Sequence, residues 1–442
     1  MANKHPADSS GAWSVFEKAV FRFAFLFFFL QIVPLDWNYY ALLFSIHWGS
    51  FNVYDLLVTT RYHPYWGLPG FYSWLLILVI SAGGAVAWAG YDKGRTNQYA
   101  TQYYWLRAVL RYRLAIGVIG YGLIKLYPLQ IPQPSLSNLH TEYGQFLPWK
   151  IYYNTIGIVP WYESFLGGVE IAAGVLLFFR RTATFGAGVL VGFLGNVLAA
   201  NLAYDLGEQV YIALLFLIAV FLLSYDVPRL HALLLEQRFT RAERFDPVFT
   251  PGVRKARVVF RSLFILLVLF FGLAAYGNYK NGPYLLPKTG GLDDSYGFYD
   301  VKEFRVNNRP VPYSNTDTGR WQNVIFEKWA TLSVGSARRL QVDDSKAAGF
   351  YDNDLDRKYE EAGSGERAYY AYTTDSIHHT LLLRNKNPHY KDDSLLFHYS
   401  RPDTSTILLT GVDHRGDSLD LVLNRVVKKY LFYIGRRQPV KF

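Results

Sequence analysis

The chain has 442 residues, of which 51% are hydrophobic and only 18% are charged, and its formal net charge is +10. Soluble domains carry about 25% charged residues, so the composition excludes a single water-soluble core. The absence of cysteine excludes disulfides, thiolate metal sites, iron–sulfur clusters and cysteine nucleophiles. Charged residues are about twice as dense in 277–442 as in 1–276, which predicts a membrane part followed by a soluble part.

Seven apolar segments are long enough to cross a hydrocarbon core, which takes about 20 helical residues. They lie at 15–34, 71–91, 113–131, 161–179, 183–203, 208–226 and 258–276. The first is rich in Phe and lacks a small-residue cleavage site, so we expect it to remain as an anchor. The third contains Lys125, and we expect it to continue through a kink at Pro128 as far as residue 131.

Basic residues are concentrated in alternate loops between these segments. The basic loops are 92–113, 180–181 and 227–257, whereas 35–70, 132–160 and 204–207 hold few Lys or Arg residues. The positive-inside rule therefore predicts a bacterial inner (plasma) membrane protein with a cytoplasmic N-terminus and an extracytoplasmic C-terminal domain. The same charge predicts contact with membrane lipids and speaks against nucleic acid as a partner.

The predicted outer loops contain apolar and aromatic residues of their own. Five tryptophans there are expected to be interfacial anchors: Trp37, Trp48, Trp66, Trp149 and Trp161. Segment 40–58 is apolar, but His47, Asn52 and Asp55 interrupt it. We expect it to lie flat on the membrane or to re-enter it.

The C-terminal part has the short alternating segments of an antiparallel β barrel or sandwich. Strands are predicted at 301–306, 324–326, 332–334, 368–373, 380–383, 395–399, 407–412, 419–423 and 429–434. The best hairpin turns at residues 414–417. The acidic segment 343–366 is expected to be a helix or a long loop.

Ionisable residues inside membrane helices are functional candidates because their burial is costly. Lys125 lies twelve residues beyond Arg113, and Glu170 lies ten residues before Arg180. If both arginines mark the inner interface, Lys125 and Glu170 lie at similar depth in antiparallel helices. The two can then form a buried ion pair, which serves either as a proton-handling or headgroup-binding site or as a salt bridge that fixes helix register.

Two further polar residues lie in the fifth segment, Asn196 and Asn201, and can hydrogen-bond across to a neighbouring helix. Asn196 is more typical of a helix–helix contact than of a ligand contact. No histidine pair has the spacing of a helical zinc site, so we expect no metal. We find no GxGxxG, P-loop or GxSxG motif, and no cofactor is evident.

Residues 113–226 resemble the four-helix unit of DoxX-like integral membrane proteins. The resemblance consists of Arg113, Gly117, Gly120, Tyr121, Gly122, Lys125 and Leu126 in one segment, Glu170 and Gly174 in the next, and the following pair Arg180-Arg181. It implies a four-helix bundle, and in some relatives a link to quinone. Residues 121–126 also resemble, faintly, the lysine-containing motif of vitamin K-dependent carboxylase-like membrane proteins.

These patterns give a membrane α-helical bundle with about seven transmembrane helices and a C-terminal antiparallel β barrel or sandwich. The expected domains are a two-helix region (1–112), the DoxX-like bundle (113–226), a cytoplasmic loop with the last helix (227–276) and an extracytoplasmic β domain (277–442). The first hypothesis is an anchor or accessory protein that presents the β domain to an envelope or redox partner. The alternative is a quinone-linked oxidoreductase or its subunit, with a site formed by Lys125, Glu170, Arg113, Tyr121, Asn196 and Asn201.

Overall fold

The structure is a computed structural model that describes residues 13–64, 66–92, 99–240, 245, 247, 249–281, 287–345, 354 and 357–430. The chain divides into two compact units. The helical unit consists of Met1–Tyr127 and Ser164–Lys280, and the barrel unit of Pro128–Glu163 and Asn281–Phe442. The predicted start of the β domain at 277 lies close to the second boundary, but the sequence did not indicate that 128–163 joins the barrel.

Helices account for most of the helical unit. In chain order, the α-helices are α1 (Val15–Ile32), α2 (Trp37–Phe44), α3 (Val53–Thr60), α4 (Tyr72–Tyr91), α5 (Ala100–Leu126), α6 (Leu136–Leu139), α7 (Pro148–Gly157), α8 (Pro160–Leu176), α9 (Ala183–Tyr204), α10 (Gln209–Ser224), α11 (Val227–Leu234) and α12 (Pro251–Asn281). Ser14 and Glu17 form a capping box at the start of α1, which satisfies amide donors that a helix N-terminus leaves open. Helices α6 and α7 belong to the barrel unit.

Three described helices, α4, α9 and α12, are long and apolar enough to cross a membrane. The bent pairs α1–α2 and α10–α11 raise this number to five if each pair is one span. The predicted third and fourth spans do form helices, α5 and α8, but they are not among these five. Charge excludes α5, which carries several arginines and Lys125, whereas length excludes α8, which has only 17 residues.

One expectation about the membrane half needs correction. Helix α5 begins at Ala100 and ends at Leu126, so the predicted kinked continuation to residue 131 is wrong. The residue before a proline disfavours the α conformation, and Pro128 follows directly after the C-cap, Tyr127. Within segment 40–58, α2 ends at Phe44 and α3 begins at Val53 with its own capping box of Asn52 and Asp55, so the prediction that this segment does not span the membrane as one helix stands.

The barrel unit is built on a closed antiparallel sheet. Its strands are β1 (Gly297–Val306), β2 (Arg309–Pro310), β3 (Trp321–Phe326), β4 (Thr331–Ser336), β5 (Arg367–Asp375), β6 (Thr380–Asn385), β7 (Ser394–Ser400), β8 (Thr406–Asp413) and β9 (Ser418–Val426). Consecutive strands pair from β3 to β9, and β1 pairs with both β3 and β9. Eight strands therefore form an up-and-down barrel, and the two-residue β2 extends one end of β1. Full closure leaves the sheet without open edges.

Large apolar side chains fill the barrel interior. Phe326, Phe397 and Leu423 are fully buried in one cluster. Along β9, Leu419 and Leu421 are buried while Asp420 between them is half-buried, which is the expected two-residue period. The eight predicted strands between 301 and 423 are confirmed.

Two other predictions for this region concern the last strand, 429–434, and the acidic segment 343–366. Residues 427–430 follow β9 without strand structure, and 431–434, the rest of the predicted last strand, lie outside the described residues. In the acidic segment 343–366, the described residues form turns and irregular backbone, and none of them is α-helical. His398 is exposed on β7, where it alternates with the buried Phe397.

Candidate functional site

Lys125 and Glu170 form the ion pair that their helical depths predicted. The Lys125 Nζ and Glu170 Oε1 atoms lie 2.6 Å apart, and the two side chains are only 12% and 3% exposed. Such short contacts are charge-assisted hydrogen bonds, which are about twice as strong as neutral ones. Buried charges of this kind are paired because an isolated ion in an apolar interior is very costly.

Two glycines bring the helices close enough for this pair to form. A Cβ atom on Gly122 of α5 would lie 2.9 Å from the Gly167 carbonyl oxygen and 3.1 Å from the Cβ of Glu170. A Cβ atom on Gly167 of α8 would lie 2.9 Å from the carbonyl carbon of Lys125. Each glycine therefore faces the charged residue of the other helix, and small residues are what permits such a close helix crossing.

The ion pair leaves hydrogen-bonding capacity unused on both partners. Glu170 Oε2 is buried and has no hydrogen-bond partner among the residues that the structure describes. A lysine ammonium has three donors, and one of them serves Glu170. The Lys125 Nζ atom also lies 5.5 Å from the ring centre of Tyr121 and 5.9 Å from that of Phe193, so aromatic faces border the pair.

A second charged pair, Arg61 and Glu208, also borders Tyr121. The Tyr121 hydroxyl donates to Glu208 Oε2 at 3.0 Å, and the same carboxylate oxygen is paired with Arg61. The Glu208 amide donates to Asn201 Oδ1 at 3.2 Å. Lys125, Tyr121 and Glu208 thus form one continuous polar row inside the helical unit, and Asn201 supports its far end.

Arg113 and Asn196 lie outside this row. The Arg113 guanidinium donates to the Thr60 carbonyl oxygen at 3.2 Å and to the Tyr211 hydroxyl at 3.3 Å, so it joins α5 to α3 and α10. Asn196 is exposed on α9, and its side chain makes no hydrogen bond with the described residues. The structure therefore gathers Lys125, Glu170, Tyr121 and Asn201, and it separates Arg113 and Asn196 from them.

Arg61 and Glu208 were not predicted from the sequence as parts of this network. Arg61 stood out only as the single basic residue of a loop, and Glu208 lies 87 positions from Tyr121. Neither position has a motif or a helical spacing that points to the other. One usable signal was the position of both residues next to apolar segments, where unpaired charge is disfavoured.

The barrel unit contains a second buried polar region, which fixes segment 128–163 to the barrel. Glu327, in the turn after β3, accepts hydrogen bonds from the Ser137 amide at 2.7 Å, the Ser137 hydroxyl at 2.6 Å and the Leu136 amide at 3.3 Å. The carboxylate thereby satisfies the open amides at the start of α6. Burial raises the pKa of Glu327, while its hydrogen bonds to Ser137 act to lower it.

Replacing Glu327 by glutamine is expected to destabilise the barrel unit by about 1–3 kcal/mol. A glutamine can accept with only one oxygen, and its amide group would face one of the donors that Glu327 satisfies. Trypsin digestion of the full chain in detergent should then cut within 128–163 faster than in the wild type. Glu303→Gln, a change on the exposed surface of β1, is the control, and equal cleavage rates for the two variants would contradict the prediction.

Lys150 lies in the same unit and is fully buried. Its ammonium donates to the Tyr359 carbonyl oxygen and lies 4.0 Å from the centre of the Tyr359 ring. Burial lowers the pKa of Lys150 to about 7, against the opposing effect of the Glu360 carboxylate. Glu360 itself is paired with Arg357, at 2.8 Å.

Glu361 is the least compensated charge in this region. Neither of its carboxylate oxygens has a hydrogen-bond partner among the described residues. Burial raises the pKa of Glu361 to about 8, and the neighbouring Asp343 carboxylate acts in the same direction. Perturbed groups of this kind mark functional sites or structural ion networks, and here they form a pH-sensitive cluster.

Trp149 is part of this packing, so its prediction as an interfacial anchor is wrong. The side chain is 4% exposed, and a Cβ atom on Gly363 would lie 2.7 Å from its ring. Gly363 has φ +74°, a conformation that favours glycine. Sequence position alone could not distinguish a tryptophan at a membrane interface from one beneath a turn 214 residues further along the chain.

Comparisons with known proteins identify a relative of this chain but assign no activity to it. No family model matches the chain, and no solved structure matches it significantly. No group of three or more His, Asp or Glu side chains within the described ranges is placed to hold a metal ion. Over 121 residues, 27% of this chain, the sequence is 31% identical to the uncharacterized protein YwoB of Bacillus subtilis (strain 168), and the match covers 75% of that protein. The chain therefore belongs to the same protein family as YwoB.

Proposed function

We propose that the protein is an integral membrane protein whose helical unit binds the polar headgroup of a lipid-soluble ligand at Lys125 and Glu170. The observation that carries the proposal is the buried, unpartnered Glu170 Oε2 atom beside a lysine with spare donors. A buried polar atom without a partner costs about 1–3 kcal/mol. A ligand that supplies the missing hydrogen bond would recover that cost.

The chemistry of the pair defines the class of ligand. Glu170 Oε2 can accept a hydrogen bond from a hydroxyl group, and Lys125 can donate one to a carbonyl oxygen. A ring that carries both groups, as in a quinone–quinol couple, fits this donor and acceptor set. The Tyr121 and Phe193 rings beside Lys125 offer faces against which a flat ring can pack.

The resemblance to DoxX-like proteins supports the same class, since some of those proteins are linked to quinones. The basic loops support a location in the bacterial plasma membrane with a cytoplasmic N-terminus and the barrel outside. In this arrangement a redox partner in the envelope would exchange electrons with the bound ligand, because cysteine-based redox groups are absent from the chain.

A second candidate function is presentation of the barrel to an envelope partner. The interior of the barrel is filled by its own side chains, so a partner would contact the outer surface. Leu396 of β7 and Val412 of β8 are directly paired and are 46% and 44% exposed. Together the two side chains form a small exposed apolar surface that is available to a partner.

Lipid extraction from the purified protein distinguishes the two functions. We expect the wild-type protein in mild detergent to retain a quinone at close to one molecule per chain, measured by mass spectrometry. Glu170→Gln and Lys125→Met should reduce that amount at least about tenfold, because each removes one of the two headgroup contacts. Lys280→Met, on an exposed position of α12, is the matched control.

Equal quinone content in the wild type and both site variants would contradict the headgroup site. If no lipid-soluble ring compound is retained at all, presentation of the barrel is favoured. That function predicts that Leu396→Asp abolishes the capture of one defined envelope protein by the full chain, while Glu303→Gln leaves it unchanged.

A further inference from the structure

A basic pocket lies elsewhere in the helical unit, lined by residues from three helices and the loops beside them. Its lining includes Arg107 and Arg111 of α5, Arg180 after α8, and Arg229 of α11. The pocket encloses about 70 Å³. A buried water needs roughly 10–15 Å³ of such volume, so the space can hold an anion the size of a phosphate group.

The charges that line the pocket are strongly unbalanced. Among its described lining residues, Asp226 is the only carboxylate beside the four guanidinium groups. This carboxylate accepts a hydrogen bond from the Thr184 hydroxyl at 2.6 Å. The guanidinium groups of Arg107, Arg111 and Arg229 alone thus outnumber this carboxylate among the described lining residues.

Three of the arginines also have unused donors. The Nε atoms of Arg107, Arg111 and Arg229 are buried and have no hydrogen-bond partner among the described residues. The Arg107 guanidinium is held in place by Tyr225, because its central carbon lies 3.6 Å from the centre of that ring. Fixed guanidinium groups with free donors are well suited to oxyanions, which they bind through paired hydrogen bonds.

The start of helix α9 adds to the same positive potential. Ala183 and Thr184, in its first turn, line the pocket. The N-cap residue Thr182 does not cap the helix with its side chain, because its hydroxyl donates to the Leu176 carbonyl oxygen at 2.7 Å. The N-terminus of a 22-residue helix favours a negative charge nearby.

We infer that this pocket binds a phosphate group, supplied either by the headgroup of an anionic phospholipid or by free phosphate. Cavity size, unbalanced arginine charge, buried free donors and the helix N-terminus all favour the same ligand chemistry. The inference is independent of the headgroup site at Lys125 and Glu170, which uses other residues.

Two binding measurements on the full chain separate the sources of the phosphate. In the first, inorganic phosphate is titrated into the delipidated protein in detergent at low salt by calorimetry. In the second, the melting temperature is compared in nanodiscs of phosphatidylglycerol and of phosphatidylcholine. Arg111→Gln and Arg229→Gln are the test variants, and Arg254→Gln, on the exposed start of α12, is the matched control.

We expect the wild-type protein and Arg254→Gln to show binding in at least one of the two measurements. A response to inorganic phosphate identifies free phosphate, and a melting temperature raised only by phosphatidylglycerol identifies the lipid headgroup. Each test variant should weaken the response about tenfold to a hundredfold, the loss of one charged hydrogen bond. Arg111→Lys, which keeps the charge without the guanidinium fork, should weaken it less and covers the case that a glutamine variant does not fold.

Two outcomes would overturn the inference. The first is that neither inorganic phosphate nor phosphatidylglycerol binds the wild-type protein. The second is that Arg254→Gln weakens binding as much as Arg111→Gln does. The second outcome would show that general surface charge attracts the phosphate and that the pocket has no part in it.

Discussion

Lys125→Met is expected to destabilise the helical unit by about 3–5 kcal/mol, because it leaves Glu170 as an unpaired charge in a buried position. Methionine has a similar length, so the change removes the charge while it keeps most of the packing. The measurement is the midpoint of unfolding of the full chain by sodium dodecyl sulfate in mixed micelles. Lys280→Met, at an exposed site, should shift the free energy of unfolding by less than about 0.5 kcal/mol.

The double variant Lys125→Met/Glu170→Gln separates loss of the pair from loss of packing. Because the uncompensated charge is gone, we expect the double variant to recover most of the stability that the single variant loses. A double variant less stable than Lys125→Met would show that the two side chains contribute independently. The structural role proposed for the pair would then be wrong.

The stability of the barrel unit is expected to decrease as the pH rises from about 5 to about 7. The folded pKa of Glu361 is raised from 4.5 to about 8, so the folded state holds a proton that the unfolded chain releases in this range. The stabilisation is complete below pH 4.5 and is lost as the pH rises to about 8. Its magnitude is on the order of 4 kcal/mol, which corresponds to roughly 10 °C in melting temperature.

The contribution of Lys150 to stability has the opposite pH dependence and applies at higher pH. Its folded pKa is lowered from 10.5 to about 7, so its contribution to stability is complete above pH 10.5 and is lost as the pH falls to 7. Together, the two groups place a minimum of stability near pH 7–8.

Melting curves of Glu361→Gln test this pH dependence. Between pH 5 and pH 7, below the range in which Lys150 acts, the melting temperature of this variant should stay nearly constant. Glu303→Gln, an exposed variant of the same unit, should keep the full wild-type pH dependence. A wild-type melting temperature that does not change from pH 5 to pH 8 would contradict the assignment.

The strands were predictable because their pattern is local. Along β9, the alternation of leucines with polar residues has the two-residue period of a strand, and the structure buries Leu419, Leu421 and Leu423. Barrel closure was not predictable, because the pairing of β1 with β9 joins Phe298 to Val426. No feature of either strand alone specifies a partner so far away.

At the candidate site, too, the local helical pattern was predictable and the contacts between distant segments were not. Helical rise placed Lys125 and Glu170 at similar depth, and they are in contact. Arg113 was expected to mark the inner interface, whereas its guanidinium donates hydrogen bonds to Thr60 and Tyr211 within the helical unit. The correct result followed from the small residues Gly122 and Gly167, which fix where the two helices cross. The sequence did not indicate Arg61 and Glu208, because their partners lie in distant segments of the chain.

The attachment of 128–163 to the barrel has a consequence for biosynthesis. Leu136 and its partner Glu327 are 191 positions apart in the chain, and translation adds about 5–20 residues per second. The earlier segment therefore emerges roughly 10–40 seconds before its carboxylate partner exists, and several apolar helices are made during that interval. Its buried polar groups must stay hydrated or be held by a chaperone meanwhile, so maturation of this region is completed only after release of the late strands from the ribosome.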